Sequence, residues 1–177
     1  MPPDGASDEE LMDRVQNGDK DAFSALFVRW QTPIWGYLVR RSGDPEGSAE
    51  LFQDVFLRVW RSAHTWQSDQ RFRPWLYRVA TNVLRDDHRA ARREVETVEI
   101  DADRTPSTGS LGVIEGVDLE RAMARLPENL RETFLLGAVQ GLDHNEIAAA
   151  LDITPANARA RLSRARATLR EILLGAA

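Results

Sequence analysis

The sequence contains no cysteine, which excludes a disulfide framework and any zinc site built from thiolates. Its three histidines, His64, His88 and His144, are too scattered to match the spacing of metal ligands. No apolar run approaches the ~20 residues of a membrane-spanning helix, and no charged start followed by an apolar stretch marks a signal peptide. We therefore expect a cytoplasmic protein with no membrane insertion, metal or cofactor.

Strand patterns are also missing, because no segment alternates apolar and polar residues over the length that a strand needs. Helical spacing recurs instead, and 42% hydrophobic residues are enough to bury a core. The pattern predicts an all-α fold with two small helical domains, residues 1–93 and 118–177. Residues 94–117 between them are acidic and contain Thr-Pro-Ser-Thr-Gly-Ser, which is typical of a flexible linker.

The net charge of −5 has the wrong sign for a nucleic-acid-binding protein, but the charge is distributed unevenly. Residues 63–93 hold seven arginines and three acids, and residues 155–170 hold five arginines and no acid. Residues 94–118 hold seven acids and one arginine. The average charge therefore hides two basic zones, and each is a candidate for binding nucleic acid.

Residues 142–170 have the pattern of a helix-turn-helix, in which a short helix is followed by Asp152-Ile153 as the turn and by Thr154-Pro155 as a capped helix start. The second helix is predicted to bury Ala158, Leu162, Ala165 and Leu169. Its open side and flanks carry Asn157, Arg159, Ala160, Arg161, Ser163, Arg164 and Arg166. Small residues and arginines on one face suit a DNA major groove. A solvated basic helix is the alternative, but the capped start and the short preceding helix favour the helix-turn-helix.

Aromatic residues lie beside arginines between residues 63 and 89, first on a polar loop and then on a helix. Exposed rings can stack on bases that leave a duplex, and each stack contributes roughly 1–3 kcal/mol. The alternative is that these rings belong to the core, which is favoured for Trp75 and left open for Trp66 and Phe72. A row of polar residues follows on the same helix, consisting of Arg78, Asn82, Arg85 and Arg89.

Three segments, taken in order, resemble the extracytoplasmic-function group of RNA polymerase sigma factors. SAELFQDVFLRVWRS (48–62) resembles conserved region 2.2, and FRPWLYRVATNVLRDDHRAARR (72–93) resembles regions 2.3 and 2.4. Residues 126–170 resemble region 4. The resemblance covers nearly the whole chain and departs from the family at Glu50, where Asp is more frequent, and at Ala160, where Ser is usual.

The resemblance implies a function, a set of partners and a set of site residues. The function is promoter recognition and transcription initiation. The partners are the polymerase core, through its β′ clamp helices and β flap, promoter DNA and an anti-sigma factor, while the free protein is a monomer. Docking on the core is implied for Glu50, Gln53, Asp54, Phe56 and Arg58. Binding of the minus-ten element is implied for Trp66, Phe72, Arg78, Asn82, Arg85 and Asp86. Reading of the minus-thirty-five element is implied for Asn157, Arg159, Arg161 and Arg164.

Two other classes of function compete with this one. A stand-alone helix-turn-helix regulator needs no strand-opening segment and binds its operator without polymerase. An all-α enzyme has little support, because no nucleophile and base pair, metal spacing or phosphate-binding loop occurs in the sequence. Asp86, Asp87 and His88 are consecutive, so on a helix they point in different directions and do not form a metal site.

Overall fold

The N-terminal domain contains four helices. The structure, a computed structural model, describes the backbone over residues 5–97 and 114–175 and the side chains over residues 5–93 and 119–175. These residues are helical, with no strand among them, so the predicted all-α fold is confirmed. The N-terminal elements are α1 (Asp8–Gln16), α2 (Lys20–Ser42), α3 (Gly47–Arg61), a 3₁₀ turn (Ala63–Thr65) and α4 (Phe72–Thr97).

The C-terminal domain is a second helical unit that ends in the helix-turn-helix. Its elements are α5 (Ile114–Ala124), α6 (Glu128–Phe134), a π-helical turn (Leu135–Val139), α7 (His144–Leu151) and α8 (Pro155–Gly175). Helix α4 therefore continues past the predicted domain boundary at Arg93, and α5 starts before the other boundary. The middle of the predicted linker, residues 98–113, lies outside the described residues.

Side-chain caps fix the starts of several helices. Ser7 and Glu10 form a reciprocal capping box at α1, and the Asp19 carboxylate accepts hydrogen bonds from the first backbone amides of α2. Gly43 ends α2 in the left-handed conformation, with φ 73°. Helix α2 runs unbroken through Pro33, although a proline inside a helix removes one backbone hydrogen bond.

The core of the N-terminal domain is rich in aromatic rings that meet edge to face. Phe27 packs on Phe56 with ring centroids 4.7 Å apart, and Trp66 packs on Trp75 at 5.6 Å. Such geometries contribute about 0.5–1.5 kcal/mol beyond the apolar area that they bury. The polar loop between α3 and α4 is thus anchored by a ring inserted into the core.

The predicted inner face of α8 is confirmed, since Ala158, Leu162, Ala165 and Leu169 are all buried. The turn before α8 places Asp152 in the left-handed region with φ 56°, and the Thr154 hydroxyl accepts a hydrogen bond from the Asn157 amide at 3.2 Å. Val139, at the end of the π-helical turn, is 40% exposed.

The two domains pack against each other, mainly through α4 and α7, with a smaller contact between α2 and the π-helical turn. Tyr77 on α4 is buried and donates a hydrogen bond from its hydroxyl to Gln140 Oε1 at 2.7 Å. The first helix of the helix-turn-helix is therefore turned toward α4, whereas α8 makes its main contacts within its own domain.

Candidate nucleic-acid and polymerase interfaces

Helix α8 presents an open face that carries amide and guanidinium groups. Asn157, Arg159 and Arg164 are exposed, while Arg161 is half-buried and donates from Nε to Asn157 Oδ1 at 3.0 Å. Within the described part of the chain, none of these arginines forms an ion pair with an acid. The four residues assigned to the minus-thirty-five element thus lie outside the buried face of α8, with Arg159 on the opposite flank from Arg161, and their guanidiniums are available to DNA.

The loop before α4 differs from the exposed platform that base stacking requires. Trp66 is 3% exposed and Phe72 is 1% exposed, so the interpretation of both rings as exposed is wrong and the core alternative is correct. The Trp66 indole N–H donates to Asp13 Oδ1 at 2.7 Å, and the Phe72 amide donates to Glu9 Oε1 at 2.9 Å. Both residues are thus hydrogen-bonded to acids of α1, Trp66 through its ring and Phe72 through its backbone, which the loop sequence by itself does not reveal.

A surface cavity of about 380 Å³ lies between the end of α3, the 3₁₀ turn and α4. Its lining combines the edge of an aromatic ring with hydrogen-bonding groups: Arg58, Arg61, Ser62, His64, Thr65, Trp75, Arg78, Val79 and Asn82. Asn82 is exposed, and its amide offers both a donor and an acceptor. This mixture of apolar, cationic and amide groups suits a single unstacked base next to a phosphate.

The other charged residues assigned to the minus-ten element already have partners. Arg78 Nε donates to the Ala149 carbonyl oxygen at 3.0 Å, and Arg85 pairs with Glu132 at 3.1 Å. Asp86 pairs with Arg58 at 2.6 Å, which links α4 to α3. Among the described residues of α4 that were assigned to the minus-ten element, only Asn82 is exposed and makes no side-chain hydrogen bond or ion pair within the protein.

The exposed face of α3 is acidic and polar. Glu50, Gln53 and Asp54 are exposed, as the resemblance implies for a docking surface. Phe56 is 6% exposed and packs in the aromatic core, so its implied place on that surface is wrong. Leu57, which is 47% exposed, lies on the outer side of α3 instead. Its spacing of three residues from Asp54 and four from Gln53 places it on the same helix face as these two residues, and this spacing is the sequence signal for its exposure.

One carboxylate of the C-terminal domain contacts basic side chains of two helices of the N-terminal domain. The side chain of Glu128 on α6 contacts Arg41 of α2 at 2.5 Å and His88 of α4 at 3.9 Å. The hydrogen bond from Arg41 is the main cause that lowers the pKa of Glu128, with smaller contributions from the charges of Arg41, His88 and Arg131, while partial burial acts in the opposite direction. Arg41 is itself buried, which makes Glu128 the acid that compensates its charge.

The described residues show neither a metal-binding cluster nor a membrane-spanning helix. Among the described side chains, no group of histidine, cysteine, aspartate or glutamate residues is arranged to hold a metal ion. Asp86, Asp87 and His88 are exposed on successive positions of α4, as expected from their spacing. None of the helices, so far as the residues are described, is both long enough and apolar enough to span a bilayer.

Comparisons with known proteins agree with this architecture. The family model of sigma-70 region 2 matches residues 26–94, and that of sigma-70 region 4 matches residues 116–169. The RNA polymerase sigma-H factor of Pseudomonas aeruginosa is 31% identical over 182 residues, covering 94% of this chain and 93% of that protein. The ECF RNA polymerase sigma-E factor of Escherichia coli K12 is 30% identical over 174 residues, covering 90% and 91%.

A solved structure, CnrH in complex with the cytosolic domain of CnrY, superposes with a TM-score of 0.73 at 27% identity. The match covers 96% of this chain and 99% of that one, so the likeness includes both domains. A stand-alone helix-turn-helix regulator is not favoured, because the two regions occur together and in the order found in sigma factors. The chain belongs to the extracytoplasmic-function group of the sigma-70 family, and it directs RNA polymerase to promoters to initiate transcription.

Proposed function

We propose that the protein selects promoters through three surfaces, centred on α3, α4 and α8. Residues 1–93 hold the docking surface of α3 and the minus-ten surface of α4, residues 94–117 form the connection, and residues 118–177 hold the minus-thirty-five surface of α8. The observation that carries this proposal is that α3 and α8 both present exposed polar faces away from the contact between the domains.

The docking surface consists of Glu50, Gln53, Asp54 and Leu57 on α3. A rigid helix that offers carboxylates, an amide and one apolar side chain suits the β′ clamp helices of the polymerase core as a partner. Arg58 contributes from the edge, since its ion pair with Asp86 leaves it half-exposed. Opposite charges across such an interface govern the rate and orientation of association more than its final affinity.

The docking assignment is tested by Asp54→Ala. We expect this variant to weaken assembly with core polymerase while leaving the DNA-binding helix α8 unchanged. Asp87→Ala is the matched control, because Asp87 is also an exposed acid on a helix but lies outside α3. Equal core affinity of the two variants in a competition assay against a reference sigma factor would refute the assignment of α3.

The minus-thirty-five surface consists of Asn157, Arg159, Arg161 and Arg164. The recognition helix would enter the major groove, where guanidinium groups bind guanine edges and phosphates. We expect Arg159→Ala and Arg164→Ala each to weaken the binding free energy for the upstream element by about 1–3 kcal/mol. Binding to core polymerase should be unchanged. Arg170→Ala is the control, because it removes one arginine charge near the C-terminal end of α8. Start-site mapping should show a smaller loss of upstream-element recognition for this variant.

The minus-ten surface is the cavity beside Asn82, together with Arg78 and Arg85. The amide of Asn82 would read the edge of an unstacked base, and the guanidiniums would hold the strand backbone. Trp66 and Phe72 support this cavity from the core, and they do not stack on bases themselves. Asn82→Ala in reconstituted polymerase should impair open-complex formation at a fixed promoter while leaving upstream duplex binding intact.

The implied partners complete the proposal. The sigma factor RpoE of Bartonella quintana, whose solved structure superposes with a TM-score of 0.72, forms a complex with the anti-sigma factor NepR, which supports an anti-sigma factor as a partner of this protein too. We propose that the protein acts in the cytoplasm as a monomer, has no catalytic activity of its own and needs no cofactor. If the purified protein shifted an operator at about 150 mM salt without polymerase, a stand-alone regulator would be the better assignment.

A further inference from the structure

Three polar side chains of α1 bond to the loop between α3 and α4. Glu9, Asp13 and Gln16 follow one another at spacings of four and three residues, so they lie on one face of the helix. Glu9 Oε1 accepts from the Phe72 amide at 2.9 Å, at the point where the loop ends and α4 begins. The other two residues bond to the middle of the loop, which is therefore held along its length by a helix far earlier in the chain.

Asp13 and Gln16 fix both the ring and the backbone of Trp66. Asp13 Oδ1 accepts from the Trp66 indole N–H at 2.7 Å and from the Ser68 hydroxyl at 2.9 Å. Gln16 Nε2 donates to the Trp66 carbonyl oxygen at 3.0 Å and to the His64 carbonyl oxygen at 3.4 Å. Because the buried indole N–H needs an acceptor, the place of Trp66 in the core depends on Asp13.

The loop that α1 holds also forms one wall of the cavity beside Asn82. His64 and Thr65 line that cavity together with the edge of Trp75. The ring of Trp66 packs on Trp75 with centroids 5.6 Å apart, and its backbone directly follows the 3₁₀ turn. A shift of Trp66 would therefore move the turn and the edge of Trp75 together, and with them the shape of the cavity.

These contacts lead to an inference that rests on the minus-ten role proposed for the cavity. We infer that Glu9, Asp13 and Gln16 are positioning residues for base selection, because α1 holds the loop in the shape that fits the preferred base. None of the three lines the cavity, and they lie before residues 26–94, which match the family model of region 2. A fixed wall leaves the polar groups of a wrong base unpaired, whereas a wall that shifts accepts several bases.

Two substitutions of Asp13 test the inference in the full-length protein with core polymerase. Asp13→Asn keeps a side-chain oxygen that can accept both hydrogen bonds, whereas Asp13→Ala removes it. Transcription is measured on promoters that differ by single bases in the minus-ten element. We expect Asp13→Ala to lower the preference for the best base over the others about tenfold. Asp13→Asn should restore the wild-type preference, and a wild-type preference in Asp13→Ala would overturn the inference.

Asp8→Ala is the matched control, because Asp8 makes the same kinds of bond from the same helix but to α2. Its carboxylate accepts from the Trp30 indole N–H at 3.0 Å and from Arg29 at 2.5 Å. This variant should lower the free energy of unfolding and leave the base preference unchanged. An equal change of preference in Asp8→Ala and Asp13→Ala would show that α1 serves only the stability of the domain, and would overturn the inference.

Hydrogen exchange of the loop amides measures the contact with α1 in the free protein. We expect Gln16→Ala to raise the exchange rate over residues 64–72 while the helices keep their protection. Gln16 is exposed, so this variant keeps the core intact even if Asp13→Ala does not fold. It should also weaken the base preference in the same direction as Asp13→Ala. Wild-type exchange in Gln16→Ala, or faster exchange with a wild-type base preference, would overturn the inference.

Failure of the proposed function would look different. If Asn82→Ala left open-complex formation unchanged, the cavity would not be the minus-ten surface. The exchange measurement uses neither DNA nor polymerase, so its result on the contact between α1 and the loop would stand in that case. The two ideas are therefore refuted by separate observations.

Discussion

The position of the recognition helix depends on a glycine in the π-helical turn. A methyl group added at Gly137 would lie 3.1 Å from both Ile147 Cδ1 and Leu162 Cδ2, and 3.2 Å from Leu162 Cδ1. Such contacts are shorter than ordinary van der Waals distances, so Gly137 lets this turn approach α7 and α8 together. We predict that Gly137→Ala and Leu162→Ala are energetically coupled, and that the coupling has a definite sign.

The magnitudes follow from packing. Leu162 is buried, so Leu162→Ala should lower the free energy of unfolding by about 2–5 kcal/mol through lost apolar contact and the cavity that remains. Gly137→Ala gains about 1 kcal/mol of helix propensity but loses about 1–3 kcal/mol to overpacking. In the double variant the added methyl occupies space vacated by the leucine. The double variant should therefore be more stable than the sum of the single effects by about 1–2 kcal/mol.

The assay is denaturant unfolding of all four proteins, together with upstream-element affinity in the reconstituted polymerase. Ala138→Gly is the control, because it changes one methyl on an exposed neighbour in the same turn and should cost only about 1 kcal/mol of helix propensity. Affinity for the upstream element should fall in Gly137→Ala and recover partly in the double variant. Effects that add within about 0.3–0.5 kcal/mol would refute the close contact between the turn and α8.

Three further predictions concern the core, a cap and pH. Trp66→Ala should lower the free energy of unfolding by about 3–5 kcal/mol, as expected for a buried ring, and retention of full stability in a denaturant titration would contradict its place in the core. Asp143→Ala removes the capping box of α7 and should lower the free energy of unfolding by about 1 kcal/mol. Asp143→Asn keeps a capping side chain and should lower it much less in the same denaturant titration. The contact between the two domains should weaken in acid, because the ion pair of Glu128 with Arg41 lowers the pKa of Glu128 and so stabilises the contact above the ordinary value near 4.5, and this contribution is lost as pH falls through the lowered pKa. The cations that face this carboxylate are Arg41, His88 and Arg131. Distances between labels on the two domains that stay unchanged as the pH falls through and well below the lowered pKa of Glu128 would contradict that role.

The helices and their boundaries were largely predictable from the sequence, because the signals that set them are local. A cap such as Ser7 or Thr154 acts on amides within three residues, and the spacing of Leu162 and its neighbours fixes one face of one helix. The same locality explains why the open face of α8 was predicted correctly. Where a local signal was ambiguous, as at Pro33, the helix formed around it because both halves bury residues in the same core.

The sequence by itself therefore determined the all-α class, the two basic zones and the sides of the helices that face solvent. Only the tertiary structure decided that Trp66 and Phe72 are core residues, since the acids that hold them lie on α1, far away in the chain. It also decided that Arg78 and Arg85 are covered by the C-terminal domain. Partners of this kind are brought together by folding rather than by spacing along the chain, and no local pattern of residues records them.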